Sequence, residues 1–257
     1  MRILVSNDDG FDAPGIHSLA KALRPLGEVT VVAPATQQTA KGHSLTIGSE
    51  IRVQKRFFEE GIPGYAVWGT PKDCVDLAVD ALLDHRPDLI VTGINEGPNL
   101  CNDCVSSGTI GGAIAGFING IPSIATSLDT GDDFDYDKCA PAIRKIAGWF
   151  LKMPYNREFA LSVNFPNIKE DFKGIVVAES GGFHTFDAHY TVVREDKDSQ
   201  YYVIPGGFVV LNDVIEDLDH DIYAMLQGYI AMTPVHFDMV HHTALDTLRK
   251  DWNEYDR

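Results

Sequence analysis

The sequence predicts an α/β fold, a doubly wound and mostly parallel sheet with a smaller C-terminal extension of β-hairpin and helix. Three observations predict it. Short apolar runs with strand propensity alternate with segments of helical period up to about residue 153. Beyond that point the pattern changes to short strands joined by Gly, Pro and charged turns. Within the alternating region, residues 88–94 are apolar enough for a strand buried on both faces, which is the signature of a parallel sheet.

The elements follow in order. Ile3, Leu4 and Val5 form a strand that stops at Asn7-Asp8-Asp9-Gly10. Residues 16–26 have helical spacing through Ile16, Leu19, Ala20 and Leu23. Residues 29–33 make a second strand, ended by Pro34 and followed by a polar loop, 35–44. Strand-like pieces at 51–58 and 65–68 form an excursion before the next helix. That helix has Thr70 as N-cap, Pro71 at its first position and Asp73 in its first turn, and runs to about Leu83. The strand at 88–94 leads into the loop 95–99. Ser107-Gly108-Thr109 then opens a helix whose small residues (Gly111, Gly112, Ala113, Ala115, Gly116) let it approach the sheet closely. A fourth strand at 122–127 and a helix at 140–153 complete the alternating region. Later strands are expected at 160–163, 174–178, 190–193, 201–204 and 229–233, and an amphipathic helix at 241–255. The charged run 194–198 reads as a hairpin tip.

Composition bounds the function. A chain of 257 residues supports one large domain or a domain with an appendage. Against 37 acidic residues there are 21 Lys and Arg, a net charge of −16, which argues against a nucleic-acid polymer as partner. Small phosphorylated ligands are not excluded, because local charge decides those. No signal peptide is read at the N-terminus, and no run approaches the roughly 18 apolar residues of a membrane span. The four cysteines read as reduced thiols, which makes a cytoplasmic location the expectation.

The chemistry gathers at one rim. In an open parallel sheet, ligands bind outside the carboxyl ends of the strands. Asp8 and Asp9 follow the first strand, Thr39 lies in the loop after the second, and Asn95 follows the third. Two adjacent carboxylates raise each other's pKa unless positive charge lies between them. A solvated turn is the bland reading of Asp8-Asp9-Gly10. A cation held by Asp8, Asp9, Thr39 and Asn95 is the functional one. Such an oxygen-only set suits Mg²⁺ or Mn²⁺ rather than zinc. The helix opening at Ser107-Gly108-Thr109 offers backbone N–H groups and two hydroxyls to a phosphate. A divalent cation beside a phosphate cradle is the arrangement for metal-assisted phosphoryl transfer to water.

Other groups have sharper and blander readings. Cys101 and Cys104 could form a redox pair or half a zinc site, but no second pair completes a zinc set, and incidental thiols are the simpler account. His43, in the loop with Thr39, could orient phosphate or act as an acid. Asp12 could supply hydrogen bonds behind the ligands.

Taken together these residues resemble the survival protein SurE family of metal-dependent nucleotidases. The matching stretches are ILVSNDDG (3–10), APGI (13–16), VAP (32–34), GHSLT (42–46), GTPKDCV (69–75), GINEGPNL (93–100), SGT (107–109) and QGYIAMTP (227–234). The resemblance spans residues 1 to about 235 and is densest through 130. It implies one SurE-like domain over 1–257, with a Rossmann-like core over about 1–153 and C-terminal strands with a swapped tail over about 154–257. It implies a homodimer or tetramer formed through that C-terminal region. It implies a phosphatase of nucleoside monophosphates, with one divalent ion per subunit on Asp8, Asp9, Thr39 and Asn95. Asp8 and Asp9 would be the catalytic pair. Asn99, Ser107, Gly108 and Thr109, with Asn95, would bind the phosphate.

The chain departs from the family in three places: Thr39 stands where serine is usual, Ser106 where an aromatic is common, and Cys101 to Cys104 where cysteine is usually missing. Two other classes remain on the sequence alone. A phospho-accepting signalling module would need an acceptor Asp where this chain has Asn95. A nucleotide-binding protein without turnover would follow if Thr39 had disabled the site. The group that takes the attacking water's proton is open between Asp9 and direct activation by the cation.

Overall fold

The computed structural model describes residues 1–58, 61–129, 131, 133, 135–187, 189–204 and 208–255. The chain runs β1 (Arg2–Ser6), α1 (Pro14–Leu23), β2 (Glu28–Pro34), β3 (Val53–Phe57), β4 (Pro63–Val67), α2 (Pro71–Leu77), β5 (Leu89–Glu96), α3 (Asp103–Ser106), α4 (Gly108–Ile118), β6 (Ser123–Leu128), α5 (Ala140–Phe150) and β7 (Ala160–Phe165). It continues with β8 (Ile175–Val177), β9 (Phe183–Asp187), β10 (Thr191–Asp196), β11 (Ser199–Val203), β12 (Phe208–Asn212), α6 (Asp221–Leu226), β13 (Ile230–Val235) and α7 (His242–Tyr255).

Nine strands form the main sheet, in the order β3-β4-β2-β1-β5-β6-β7-β13-β8. The six from β4 to β7 are parallel neighbours, β3 pairs antiparallel at one edge, and β13 pairs antiparallel with β7. The sheet is therefore mixed and mostly parallel. From β1 the chain first builds outward through β2, then returns to lay β5 on the other side of β1. The strand order reverses between β1 and β5, so a crevice opens at their carboxyl ends.

The period-two alternation of β1 divides the core. Ile3 and Val5 face a cluster with Ile16, Leu19 and Leu23 of α1 and Ile143, Ile146 and Phe150 of α5. Leu4 faces the opposite cluster with Cys74, Val75 and Ala115. α1 packs on α5 and α2 on α4, which places helices on both faces. Each fully buried Leu or Ile here contributes roughly 1.5–3 kcal/mol. α2 begins where its cap dictates: Thr70 Oγ1 accepts from the Asp73 N–H while the Asp73 carboxylate accepts from the Thr70 N–H.

Several boundaries differ from the sequence expectation. The first helix ends at Leu23 and tightens into a 3₁₀ turn, Arg24–Leu26, because Pro25 has no N–H to continue the ladder. The second helix widens into a π turn over Ala78–Leu82. The excursion after β2 is part of the main sheet: β4 pairs in parallel with β2 and β3 closes the edge. The charged run enters β10, and only Lys197 and Asp198 form its tip. α3, α6 and the β9–β12 pair are elements that residue patterning did not reveal. Residues 188, 205–207 and 256–257 of the expected C-terminal region lie outside the described residues.

Candidate active site

The turn after β1 is locked by its own side chain. Asn7, fully buried, donates from Nδ2 to the Gly10 carbonyl (2.9 Å) and accepts from the Gly10 N–H on Oδ1 (3.3 Å). This turn turns Asp8 inward and leaves Asp9 half-buried at the mouth of the crevice.

Asp8 is 4 % exposed and meets the start of α4. It accepts hydrogen bonds from the Thr109 hydroxyl and from the backbone N–H groups of Gly108 and Thr109. The N-terminus of α4 thus already faces an anion, the Asp8 carboxylate. Burial raises the Asp8 pKa, and these hydrogen bonds oppose the rise without cancelling it. Position 108 must be glycine: a Cβ there would lie 2.7 Å from Asp8 Cβ.

Asp9 Oδ2 accepts from the Glu96 N–H at 3.3 Å, which ties the β1 turn to the end of β5. Burial first, then the charges of Asp8 and Glu96, push its pKa up to about 7. Among the described residues, neither Asp8 nor Asp9 has a Lys or Arg ion-pair partner. Two buried or half-buried carboxylates without a cation are costly.

Asn95 belongs to β5 itself rather than to the loop after it. The register with β6 slips between Thr92 and Asn95, a bulge that re-aims the strand's end. Its Nδ2 donates to the Gly97 carbonyl (2.8 Å), and among the described residues its Oδ1 has no donor. Thr39 is exposed, but the residue before it is anchored at the site: the Gln38 N–H donates to the Asp8 carbonyl at 2.7 Å. Ser107 caps α4, its Oγ accepting from the Ile110 N–H at 3.1 Å, which leaves its O–H free to donate. Asn99 is buried, and its Nδ2 donates to Ser127 Oγ (2.8 Å). Its N–H donates to Asn164 Oδ1 (2.8 Å).

The structure thus joins Asp8 to Gly108 and Thr109 directly, ties Asp9 to the Glu96 N–H, brings the Thr39 loop against Asp8 by backbone, and sets Asn95 on the neighbouring strand. Asn99 is held by residues that sequence reasoning missed, Ser127 and Asn164. Their signal was present: Ser127 and Asn164 are polar positions near the carboxyl ends of β6 and β7. Glu96 and Tyr136 were missed as well. Tyr136 is buried, and burial together with the Glu96 and Asp9 charges raises its pKa.

Among the described residues, no group of three or more His, Cys, Asp and Glu side chains could hold a metal. The candidate donors are two carboxylates, a hydroxyl and an amide oxygen. They fit a hard divalent cation, and the uncompensated Asp8–Asp9 pair is the observation that calls for one. His43 is exposed, and partial desolvation with the nearby Lys72 charge lowers its pKa. Cys101 donates from Sγ to Asp221 Oδ1 (3.3 Å). Burial pushes the Cys101 thiol up to about 11 and Cys104 up to about 12, so neither is a reactive thiolate.

Comparison with known proteins adds an independent finding. A family model described as survival protein SurE matches residues 3–186. A protein of Carboxydothermus hydrogenoformans named 5'-nucleotidase SurE is 40% identical over 261 residues, covering 98% of this chain and 96% of its own. The 5'-nucleotidase SurE of Alkaliphilus metalliredigens is 37% identical over 252 residues, 97% of this chain and 98% of its own. The crystal structure of the SurE protein from Aquifex aeolicus superposes with a TM-score of 0.77 at 32% identity, covering 97% of this chain and 99% of that one.

Proposed function

The chain belongs to the survival protein SurE family, and from that premise we propose that it hydrolyses nucleoside monophosphates to nucleoside and phosphate in a metal-dependent reaction. It is a phosphoric monoester hydrolase of the 5'-nucleotidase type. The single observation that carries the metal-dependent reading is the Asp8–Asp9 pair at the crevice, without a cationic side chain among the described residues to compensate it.

One divalent cation per subunit, Mg²⁺ or Mn²⁺, would be held by Asp8, Asp9, Thr39 and Asn95. When bound, it supplies positive charge to a phosphoryl oxygen and lowers the pKa of the attacking water. This chain's net charge is −16, so a phosphate monoester is repelled from it unless that local charge is present. The residues do the rest. Gly108 and Thr109 fix the Asp8 carboxylate through two N–H groups and a hydroxyl. The Ser107 O–H, with its acceptor side already committed to α4, is oriented to donate to a phosphate oxygen. Asn99, clamped by Ser127 and Asn164, supports the same pocket. Asp9 is the candidate for receiving the proton of the attacking water, since it is half-buried and its carboxylate is the more accessible of the pair. Water oxygen bonds to phosphorus, the ester P–O bond breaks, and the leaving nucleoside oxygen takes up a proton.

A homodimer or tetramer through the C-terminal region is also part of this reading. It is supported by α7, none of whose residues is buried, and by exposed Tyr201, Tyr202, Leu248 and Trp252. A cytoplasmic location fits four unpaired cysteines. Among the described residues, no helix is long and apolar enough to cross a membrane. The test is phosphate release from a panel of nucleoside monophosphates in EDTA and after Mg²⁺ or Mn²⁺ is restored. Metal-dependent release that Asp8→Asn abolishes is the expected result. Unchanged release in that variant, or release indifferent to EDTA, overturns the scheme.

A further inference from the structure

The connection between β2 and β3 carries Thr39 and His43, and it contains no strand or helix. Attachments to neighbouring elements hold it instead. The Gln38 N–H donates to the Asp8 carbonyl at 2.7 Å, and the Gly42 N–H donates to the Ser106 carbonyl at 2.8 Å. The Thr70 hydroxyl donates to the Ser44 carbonyl at 2.7 Å. Thr46 donates twice to Asp73, from its N–H to Oδ1 at 3.0 Å and from its hydroxyl to Oδ2 at 2.7 Å. The first two bonds run backbone to backbone. Those from Thr70 and to Asp73 depend on side chains, and both residues belong to the cap of α2.

Asp73 does more there than a cap requires. The capping box needs one acceptor for the Thr70 N–H, which Oδ2 supplies at 2.8 Å. The bonds from Thr46 reach a residue 27 positions earlier. Asp73 is 1 % exposed. Burial pushes its pKa up, but the hydrogen bonds from Thr46 and Thr70 outweigh burial and hold the carboxylate below its ordinary value. Room is kept for it, since a Cβ at Gly69 would lie 2.8 Å from Asp73 Oδ2. The helix also stands at the site: a Cβ on Gly108 would meet Pro71 Cγ at 3.0 Å as well as Asp8 Cβ at 2.7 Å. Directly after Thr39, Ala40 has a φ of +59°. An L side chain takes this left-handed conformation only where its surroundings impose it. A chain strained at that point relaxes when its attachments are released, and the relaxation moves Thr39. We propose that Asp73 is a positioning residue for the reaction: through Thr46 and Thr70 it holds the connection that presents Thr39, and so sets how tightly the site takes up a divalent cation. The inference rests on the reading of Thr39 as a cation ligand and goes beyond it, placing control of that ligand on the cap of a neighbouring helix.

The experiment compares the full chain with its Asp73→Asn, Gly69→Ala and Thr46→Val variants. Amide exchange over residues 38–46 is followed by mass spectrometry in EDTA, and Mn²⁺ affinity is measured by calorimetry without substrate. Asp73→Asn leaves one acceptor oxygen for three donated hydrogen bonds. Gly69→Ala displaces the carboxylate. Thr46→Val removes one bond and spares the cap of α2, so it carries the same test if Asp73→Asn fails to fold. In Asp73→Asn, exchange over 38–46 speeds about tenfold and Mn²⁺ affinity weakens about tenfold, with smaller changes in the same direction in the other two. kcat at saturating Mn²⁺ falls by less than the affinity does, because excess ion recovers the displaced ligand. Asp73→Asn combined with Thr46→Val binds Mn²⁺ no more weakly than Asp73→Asn by itself, as expected of residues that act through one contact. Wild-type exchange and affinity in the folded variants, even with a lowered unfolding midpoint, overturn the proposal and leave Asp73 a helix cap only. Wild-type protein that binds no Mn²⁺ overturns the cation reading itself, whatever the exchange shows.

Discussion

The rim around Asp8 and the C-terminal arm are built on opposite terms. At the rim, polar groups are buried and bonded to one another: Asn7 to Gly10, Asp8 to Thr109, Asn99 to Ser127. In the arm, apolar groups are exposed. α7 turns Leu248, Trp252 and Tyr255 to solvent at 64, 62 and 83 % exposure. Among the described residues, the carboxylates of the rim have no Lys or Arg partner and the apolar side chains of the arm have no cover. Buried carboxylates without a cation and exposed apolar side chains on an amphipathic helix are both unfavourable states. The contrast teaches that the same chain leaves two kinds of group uncompensated, a carboxylate pair at the rim and apolar side chains along α7.

The contrast can be broken most severely at Asp8. Asp8→Asn keeps the shape and removes the charge, so turnover falls by about 10³-fold or more, while circular dichroism and the unfolding midpoint show an intact fold. Next is Gly108→Ala. Its methyl group displaces Asp8, and a displacement on the order of 1 Å costs about 10²-fold in kcat/KM. A variant with wild-type kinetics would show that the Gly108 contact does not govern Asp8.

The charge deficit at the rim also has a pH signature. Asp9 has an ordinary pKa of 3.8 and about 7 in the fold, so between these values the native state binds the extra proton. Its stabilising contribution is fully present below about pH 4 and is lost as pH rises to about 7. The loss is on the order of 4 kcal/mol. Asp8, also raised, acts in the same direction. Thermal unfolding in EDTA should therefore show stability falling from pH 5 to pH 8, and saturating Mn²⁺ should remove most of that fall. Equal slopes with and without the ion would detach the carboxylate pair from metal binding. The smallest effect on the subunit itself belongs to the arm. Trp252→Asp should change subunit stability by less than about 0.5 kcal/mol. It should shift sedimentation from oligomer toward monomer; an unchanged assembly would free α7 from that role.

Legibility followed locality. β1, α1, β2 and β5 could be read because each carries its period within its own residues, and the rim followed from the rule that places ligands at strand carboxyl ends. α6 was not legible, since six residues hold fewer than two helical turns. β9 and β12 pair across twenty intervening residues, and no local pattern names a partner. Within the site, the residue types were legible and their partners were not. Nothing in the Ser107-Gly108-Thr109 stretch reveals that its hydroxyl and N–H groups point at Asp8, because that contact is made only when the sheet is assembled. The bulge that moves Asn95 into β5 depends on β6 in the same way.

The Thr109–Asp8 hydrogen bond joins residues 101 positions apart. In time, that separation is a delay. At roughly 5–20 residues per second, Thr109 leaves the ribosome about 5–20 s after Asp8. Throughout that interval the two aspartates exist as an unsupported acidic pair with no helix end to hold them and no β5 beside them. On the proposed ligand set, an ion could be held only after β5 and α4 have joined β1, so ion binding would report that the sheet has closed at its centre.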